Sequence, residues 1–211
     1  MTTIKNLLFD FGGIFMRITR DDAVRAFEQL GIHDANKLLD PYLQTGLFLE
    51  LEKGQISPQE FLNRINKKYQ LNLTHQDVEQ ALYQFIWDCE DYKFDFIEEE
   101  IPSNIRVMLL SNTNGFIFPW VNSGKYLKNG RAVSSYFNKV YLSFELGVCK
   151  PDPLIFEKVI ADAHILPSET LFVDDAKANI DVAAQLGFQT YLAKSGEDWR
   201  QSIRQRLGLT Q

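Results

Sequence analysis

The chain has 211 residues, with 28 acidic and 22 basic side chains and a formal net charge of −6. This balance excludes a global attraction to nucleic acid or anionic membrane. At 45% hydrophobic and 13% aromatic residues, the chain can bury a core in one large domain or a core with one inserted lobe.

No segment reaches the roughly 18 consecutive apolar residues that cross a bilayer. The start, Met1-Thr2-Thr3-Ile4-Lys5-Asn6, lacks the basic-then-apolar layout of a secretion signal. Cys89 and Cys149 stand alone, without metal-binding spacing, as expected of reduced thiols in a cytoplasmic protein. His33, His75 and His164 lie far apart and read as surface or capping residues rather than zinc ligands.

In chain order, residues 4–9 form a short apolar run that stops at Asp10 and Gly12-Gly13, the pattern of a buried strand. Residues 20–90 turn helical. A helix over 22–30 is closed by Gly31. Ser57-Pro58-Gln59-Glu60 starts another: Ser57 caps, Pro58 fits the first turn and Glu60 completes a capping box. Thr74 and Asp77 open a third, with Val78, Leu82, Phe85 and Ile86 as its apolar stripe. Strands and helices then alternate. Strands are predicted at 106–110, 140–142, 171–173 and 188–192, and helices at 153–161, 176–186 and 198–207. This order argues for a mostly parallel sheet covered by helices, with the first helical stretch as a separate lobe.

Polar residues recur where strands end: Asp10, then Ser111-Asn112-Thr113-Asn114, then Asp174-Asp175. In a parallel sheet these ends share one edge, and ligands bind there. Adjacent carboxylates at the end of a buried strand repel each other and call for a counter-charge. Several carboxylate oxygens suit Mg2+ better than zinc. Lys150, in the rigid loop Lys150-Pro151-Asp152-Pro153, is placed to aim its ammonium at a carboxylate or phosphate.

Four segments carry a resemblance. Phe9-Asp10-Phe11-Gly12-Gly13, Leu110-Ser111-Asn112, Lys150-Pro151-Asp152, and Asp174-Asp175 with Asn179 resemble, in order, the four motifs of the haloacid dehalogenase-like hydrolase superfamily. Thr45-Gly46, Glu50-Leu51-Glu52-Lys53-Gly54-Gln55-Ile56-Ser57 and Tyr141-Leu142-Ser143-Phe144-Glu145-Leu146-Gly147 are similar to the alpha-D-glucose-1-phosphate phosphatase subgroup, which has a small helical cap. The resemblance implies an α/β fold: a Rossmann-like three-layer core of residues 1–16 and 96–211, and an inserted helical cap of residues 17–95.

It also implies roles. Asp10 is the nucleophile toward phosphorus, and Lys150 balances its charge. Asp10, Asp174, Asp175 and the Gly12 carbonyl hold Mg2+. Ser111 and the Asn112 backbone N–H bind phosphate, and Asn179 orients Asp175 from behind. The partner is a small phosphorylated metabolite.

The departure from the family pattern is Gly12, which stands where most phosphatases of the superfamily carry an acid–base aspartate. Such a group is worth about 10²–10⁴ in rate. Its absence points to a sugar 1-phosphate, whose anomeric leaving group needs less protonation, or to help from a cap carboxylate such as Glu50. Two alternatives stay open at this level: a metabolite-binding protein that has lost turnover, and a 2-haloacid dehalogenase. The segment 115–131, with Phe116, Phe118, Trp120 and Tyr126, forms either part of the pocket rim or a packed surface loop.

Overall fold

The computed structural model describes residues 3–39 and 46–209. Thr45, part of the resemblance above, lies outside the described residues. The central sheet contains β1 (Asn6–Phe9), β4 (Arg106–Ser111), β5 (Lys139–Leu142), β6 (Thr170–Asp174) and β7 (Gln189–Leu192), and a separate ribbon contains β2 (Met16–Ile18) and β3 (Ile86–Cys89). The sheet runs β5-β4-β1-β6-β7, and every neighbouring pair is parallel.

Alternation along the strands builds two cores. Leu7, Phe9, Val107, Leu109, Leu171 and Val173 face one cluster, together with Phe94, Phe96, Trp199 and Ile203 from the helices Asp91–Glu99 and Arg200–Leu207 and the turn before the latter. Leu8, Met108, Leu110 and Phe172 face the other, packed on Ile155, Phe156 and Val159 of helix Pro153–Ala163 and Ile180 and Ala183 of helix Lys177–Gln185. Both sheet faces are therefore covered, which is why the strands read as unbroken apolar runs. The strands Asn6–Phe9, Arg106–Ser111, Lys139–Leu142, Thr170–Asp174 and Gln189–Leu192 answer to the predictions at 4–9, 106–110, 140–142, 171–173 and 188–192, the first starting two residues later than expected and the last one residue later.

The segment after β1 packs around its own apolar centre. Helices Arg20–Gln29, Leu47–Glu52, Pro58–Tyr69 and His75–Tyr83 bury Phe27, Leu51, Phe61, Ile65, Val78 and Leu82 together. Thr74 and Asp77 close a capping box, and Ser57 accepts the Glu60 N–H at 3.1 Å. Glu60 does not complete the second box that its spacing suggests. Its carboxylate instead binds Arg64 one turn on, at 2.6 Å. Ile86 leaves the predicted helical stripe and enters β3, which pairs antiparallel with β2. The expected boundary between residues 95 and 96 falls inside helix Asp91–Glu99, whose Phe94, Phe96 and Ile97 belong to the sheet's core.

Two contacts fix the lobe on the sheet. Buried Lys93 donates to the Ile14 carbonyl and to Glu90 Oε2, both at 2.6 Å, and Trp199 Nε1 donates to the same carbonyl at 2.9 Å. The turn after β1 is thus tied to the chain returning from the lobe. On the opposite side Gly54 (φ +63°) lies so close to the Phe144 backbone that a Cβ would overlap its carbonyl oxygen. Gly54→Ala is expected to cost about 1–3 kcal/mol, which thermal melts measure.

Candidate active site

Backbone geometry sets the positions first. The Asp10 N–H donates to the Val173 carbonyl at 2.9 Å, extending the β1–β6 ladder by one residue. Asp10 therefore stands at the centre of the sheet's C-terminal edge, flanked by Ser111 of β4 and Asp174 of β6. The chain then turns sharply: the Gly13 N–H donates to the Met16 carbonyl at 2.9 Å. Gly13 has φ +72°, and a Cβ there would sit inside the Asp175 carboxylate. Only glycine meets both the backbone angle and the close approach.

Asp10, Asp174 and Asp175 each offer an oxygen within 4.8 Å of the others. Lys150 Nζ lies between two of them, 2.7 Å from Asp10 Oδ1 and 2.7 Å from Asp174 Oδ2. Three carboxylates and one ammonium leave two negative charges, the complement of a single divalent cation. The donors are all hard oxygens, which fits Mg2+. The repulsion expected between Asp174 and Asp175 is relieved in part within the protein, by Lys150.

The two adjacent aspartates do different work. Asp174 is fully buried and its four lone-pair positions are taken: Oδ1 by the Ala176 N–H (2.8 Å) and Asn179 Nδ2 (3.0 Å), Oδ2 by Lys150 and Asn179 Nδ2 (3.0 Å). Asn179 thus orients Asp174, not Asp175 as its spacing suggested. The turn between Asp174 and the helix swings the Asn179 amide back past its nearer neighbour. Asp175 keeps a more open carboxylate, held by the Ser195 hydroxyl.

Electrostatics follow from this packing. Burial pushes Asp10 up to about 7, with Asp174 and Asp175 adding to the shift and Lys150 opposing it. Burial and the Asp174 charge also raise Asp175. Burial disfavours the Lys150 ammonium, but the Asp10 and Asp174 carboxylates outweigh it and hold its pKa above the ordinary lysine value. Asp10 is 14% exposed whereas Asp174 is fully buried, so of the two carboxylates on Lys150 only Asp10 can be reached by an incoming group.

The Asn112 side chain is committed elsewhere than to a ligand. Its Oδ1 accepts the Lys150 N–H at 2.8 Å, and its Nδ2 donates to the Lys150 carbonyl at 2.9 Å. This two-point clamp fixes the backbone from which the ammonium is aimed. Ser143 fixes the next residue, its Oγ meeting both the N–H and the carbonyl of Thr113 at 3.0 Å.

A cavity of about 300 Å³ opens over this edge, the size of a small-metabolite pocket. The core contributes Gly12, Ser111, Asn112 and Thr113. The lobe contributes apolar walls, among them Phe48 and Phe85, and two charged side chains, Arg20 and Glu52. Glu50, the cap carboxylate expected to help, does not line it. It lies two residues from Glu52 on a six-residue helix and so points another way; its carboxylate pairs with Arg64 at 2.9 Å. Of the aromatic segment 115–131, Ile117 lines the cavity; Phe116 is buried against Phe61 and His75, and Trp120 stacks on Tyr83. Glu52, Arg20 and Ser195 were not singled out from the sequence, and Thr113 was named only within the polar stretch after its strand. The signal for Glu52 was present only as helix phase relative to Leu51, which is buried.

Comparison with known proteins gives a consistent neighbourhood. Residues 4–187 match the family model described as haloacid dehalogenase-like hydrolase. A D-ribitol-5-phosphate phosphatase of Bacteroides thetaiotaomicron is 44% identical over 200 residues, covering 95% of this chain and 97% of that protein. A solved structure of a predicted HAD-like family hydrolase from Porphyromonas gingivalis superposes with a TM-score of 0.92 at 39% identity, covering 100% of both chains. A HAD-family enzyme from Bacteroides thetaiotaomicron, an aspartate-to-alanine variant in complex with magnesium and inorganic phosphate, superposes with a TM-score of 0.89 at 36% identity, covering 95% of this chain and 99% of that one.

Proposed function

Because the chain belongs to the haloacid dehalogenase-like hydrolase family, we propose that it is a Mg2+-dependent phosphatase of small sugar-alcohol phosphates, working through a phosphoaspartate on Asp10. The observation that carries this reading is the meeting of Asp10, Asp174 and Asp175 around Lys150, beside a cavity of metabolite size lined by Gly12, Ser111 and Asn112 of the same sheet edge. A relative that is 44% identical along nearly its whole length and acts on D-ribitol 5-phosphate supports the substrate class.

Asp10 attacks phosphorus in line with the departing ester oxygen, and the pocket's task is to hold that alignment. Lys150, clamped by Asn112 and braced by Asp174, places positive charge beside both the nucleophile and the transferring group. Ser111 Oγ and the Asn112 backbone N–H hold phosphate oxygens. Asp10, Asp175 and the Gly12 carbonyl would hold Mg2+, with Asp174 braced behind them by Lys150 and Asn179, and a bound cation would supply charge that polarises the phosphoryl oxygens. The lobe of helices Arg20–Gln29, Leu47–Glu52, Pro58–Tyr69 and His75–Tyr83 acts as a cap that excludes water from the reacting centre.

The sugar 1-phosphate suggested by Gly12 gives way to a polyol phosphate in this reading. A primary alkoxide is a poorer leaving group than an anomeric oxygen, so the need for a proton donor becomes greater. Phosphate release from D-ribitol 5-phosphate, other pentitol and pentose 5-phosphates and sugar 1-phosphates, with Mg2+ and with chelator, tests the proposal. Mg2+-dependent turnover, fastest on the polyol esters, is expected. Binding without turnover across the panel, or metal-independent halide release from a 2-haloacid, contradicts it.

Cation binding should be linked to pH. Asp10 holds its proton more tightly in the folded protein, at about 7, than at its ordinary 3.8. Metal-free protein therefore loses stability as pH rises from about 4 toward about 7, where the folded carboxyl ionises. Mg2+ needs the ionised form. The increase in Tm on adding Mg2+ is expected to grow across this window and level off above it, as melts at about pH 5.5 and about pH 8 will show.

A further inference from the structure

We propose that Glu52 is the acid–base catalyst that supplies the proton Gly12 cannot. This rests on the phosphatase reading above and deepens it. Gly12 and Glu52 bound the same cavity, one from the core and one from the cap. Gly12 carries no side chain, so a proton for the leaving oxygen must come from another residue lining the cavity, and Glu52 is the one carboxylate among the described residues that lines it.

Glu52 is held on the core side. Gly54, two residues on, abuts the Phe144 backbone. Its carboxylate has no hydrogen-bond or ion-pair partner among the described residues, so it is not a structural brace. Burial alone pushes it up to about 7, which suits a group that must give and regain a proton near neutrality.

The charged groups around it do not replace it. Arg20, across the cavity, is engaged with the Leu39 carbonyl at 2.9 Å and with the backbone and side chain of Asn36. Lys53 follows Glu52 in the chain, and Lys150 is bound to Asp10 and Asp174. Burial and then the Glu52 charge push the Cys149 thiol up to about 12, so it stays neutral.

The proton balance closes over two steps. As the Asp10 oxygen bonds phosphorus and the ester P–O bond breaks, the Glu52 carboxyl proton passes to the departing oxygen, and the alcohol leaves. As water then bonds phosphorus and the P–O bond to Asp10 breaks, the Glu52 carboxylate takes the water proton. Phosphate leaves, and Asp10 and Glu52 return to their starting states.

Leaving-group dependence tests this. In Glu52→Gln, phosphorylation by D-ribitol 5-phosphate is expected to slow by about 10²–10³. With p-nitrophenyl phosphate, whose leaving group needs no proton, a burst of nitrophenol at close to the wild-type rate should precede slow turnover. The alkaline limb of the kcat profile, where Glu52 loses the proton it must donate, should vanish, and formate should restore activity to Glu52→Ala. Equal slowing of both phosphorylation steps, turnover within about threefold of wild type on both esters, or no rescue by formate overturns the assignment. Asp10→Asn serves as the separate control: its retaining activity would remove the phosphatase reading itself, whatever Glu52 does.

Discussion

Asp10→Asn is expected to lower phosphate release on the order of 10⁴-fold or more while leaving the protein folded. The amide keeps the size of the carboxyl but is no nucleophile. It also removes one of three negative charges crowded within 4.8 Å. Metal-free Asp10→Asn should therefore be at least as stable as wild type above about pH 7, where the wild-type carboxyl is forced to ionise against burial and its neighbours. The result joins two readouts that move apart: kcat falls and the metal-free melting temperature does not. A loss of both would mean that Asp10 is mainly a structural group.

Lys150→Met is expected to move both together. Its ammonium is almost fully buried and makes two ion pairs at 2.7 Å, one with a carboxylate that is itself fully buried. Removing one partner of a buried pair strands the other charge, at about 3–5 kcal/mol. The variant should unfold at lower denaturant, and added Mg2+ should recover more of its stability than it adds to wild type, because the cation then meets carboxylates without their ammonium. Turnover should fall about 10²–10³-fold, as when one preorganised positive group is lost at a reacting centre. Denaturant titrations with and without Mg2+, beside kcat on D-ribitol 5-phosphate, measure both effects. Unchanged stability would show that Asp174 finds its compensation elsewhere.

Much of this site can be read from the chain because each station lies at the end of a strongly apolar strand. The runs before Asp10, Ser111 and Asp174 are buried on both faces, so composition alone marks them, and parallel pairing brings their ends to one edge. What could not be read depends on phase and on distant partners. β2 has three residues and β3 four, too short for alternation to separate them from helix, and Ile86 was therefore assigned to a helical stripe. Glu50 and Glu52 are alike in sequence, and only the docking of Gly54 and the burial of Leu51 decide which carboxylate turns toward the cavity. Glu90 and Lys93 look like a solvated pair three residues apart; they are buried because the Ile14 carbonyl, 79 positions from Lys93 in the chain, and the Trp199 ring, whose Nε1 donates to that same carbonyl, close over them.

The same distinction explains Asn179 and Asn112. Helical spacing pointed Asn179 at Asp175, but the intervening turn carries its amide to Asp174. Asn112 was expected to contribute its backbone to phosphate, and its side chain has a further task, gripping both backbone groups of Lys150. In both cases an amide fixes a charged neighbour, Asn179 one five residues back in its own motif and Asn112 one 38 positions on.

The central claim is that phosphorus becomes covalently bound to Asp10. Acid-quenching the protein in the first turnover with Mg2+ and D-ribitol 5-phosphate, then mapping phosphorylated peptides by mass spectrometry, tests it most directly. A phosphoryl group on Asp10, appearing before free phosphate and absent with chelator, is the predicted result. Full turnover with no adduct on Asp10, or an adduct on another residue, would contradict it.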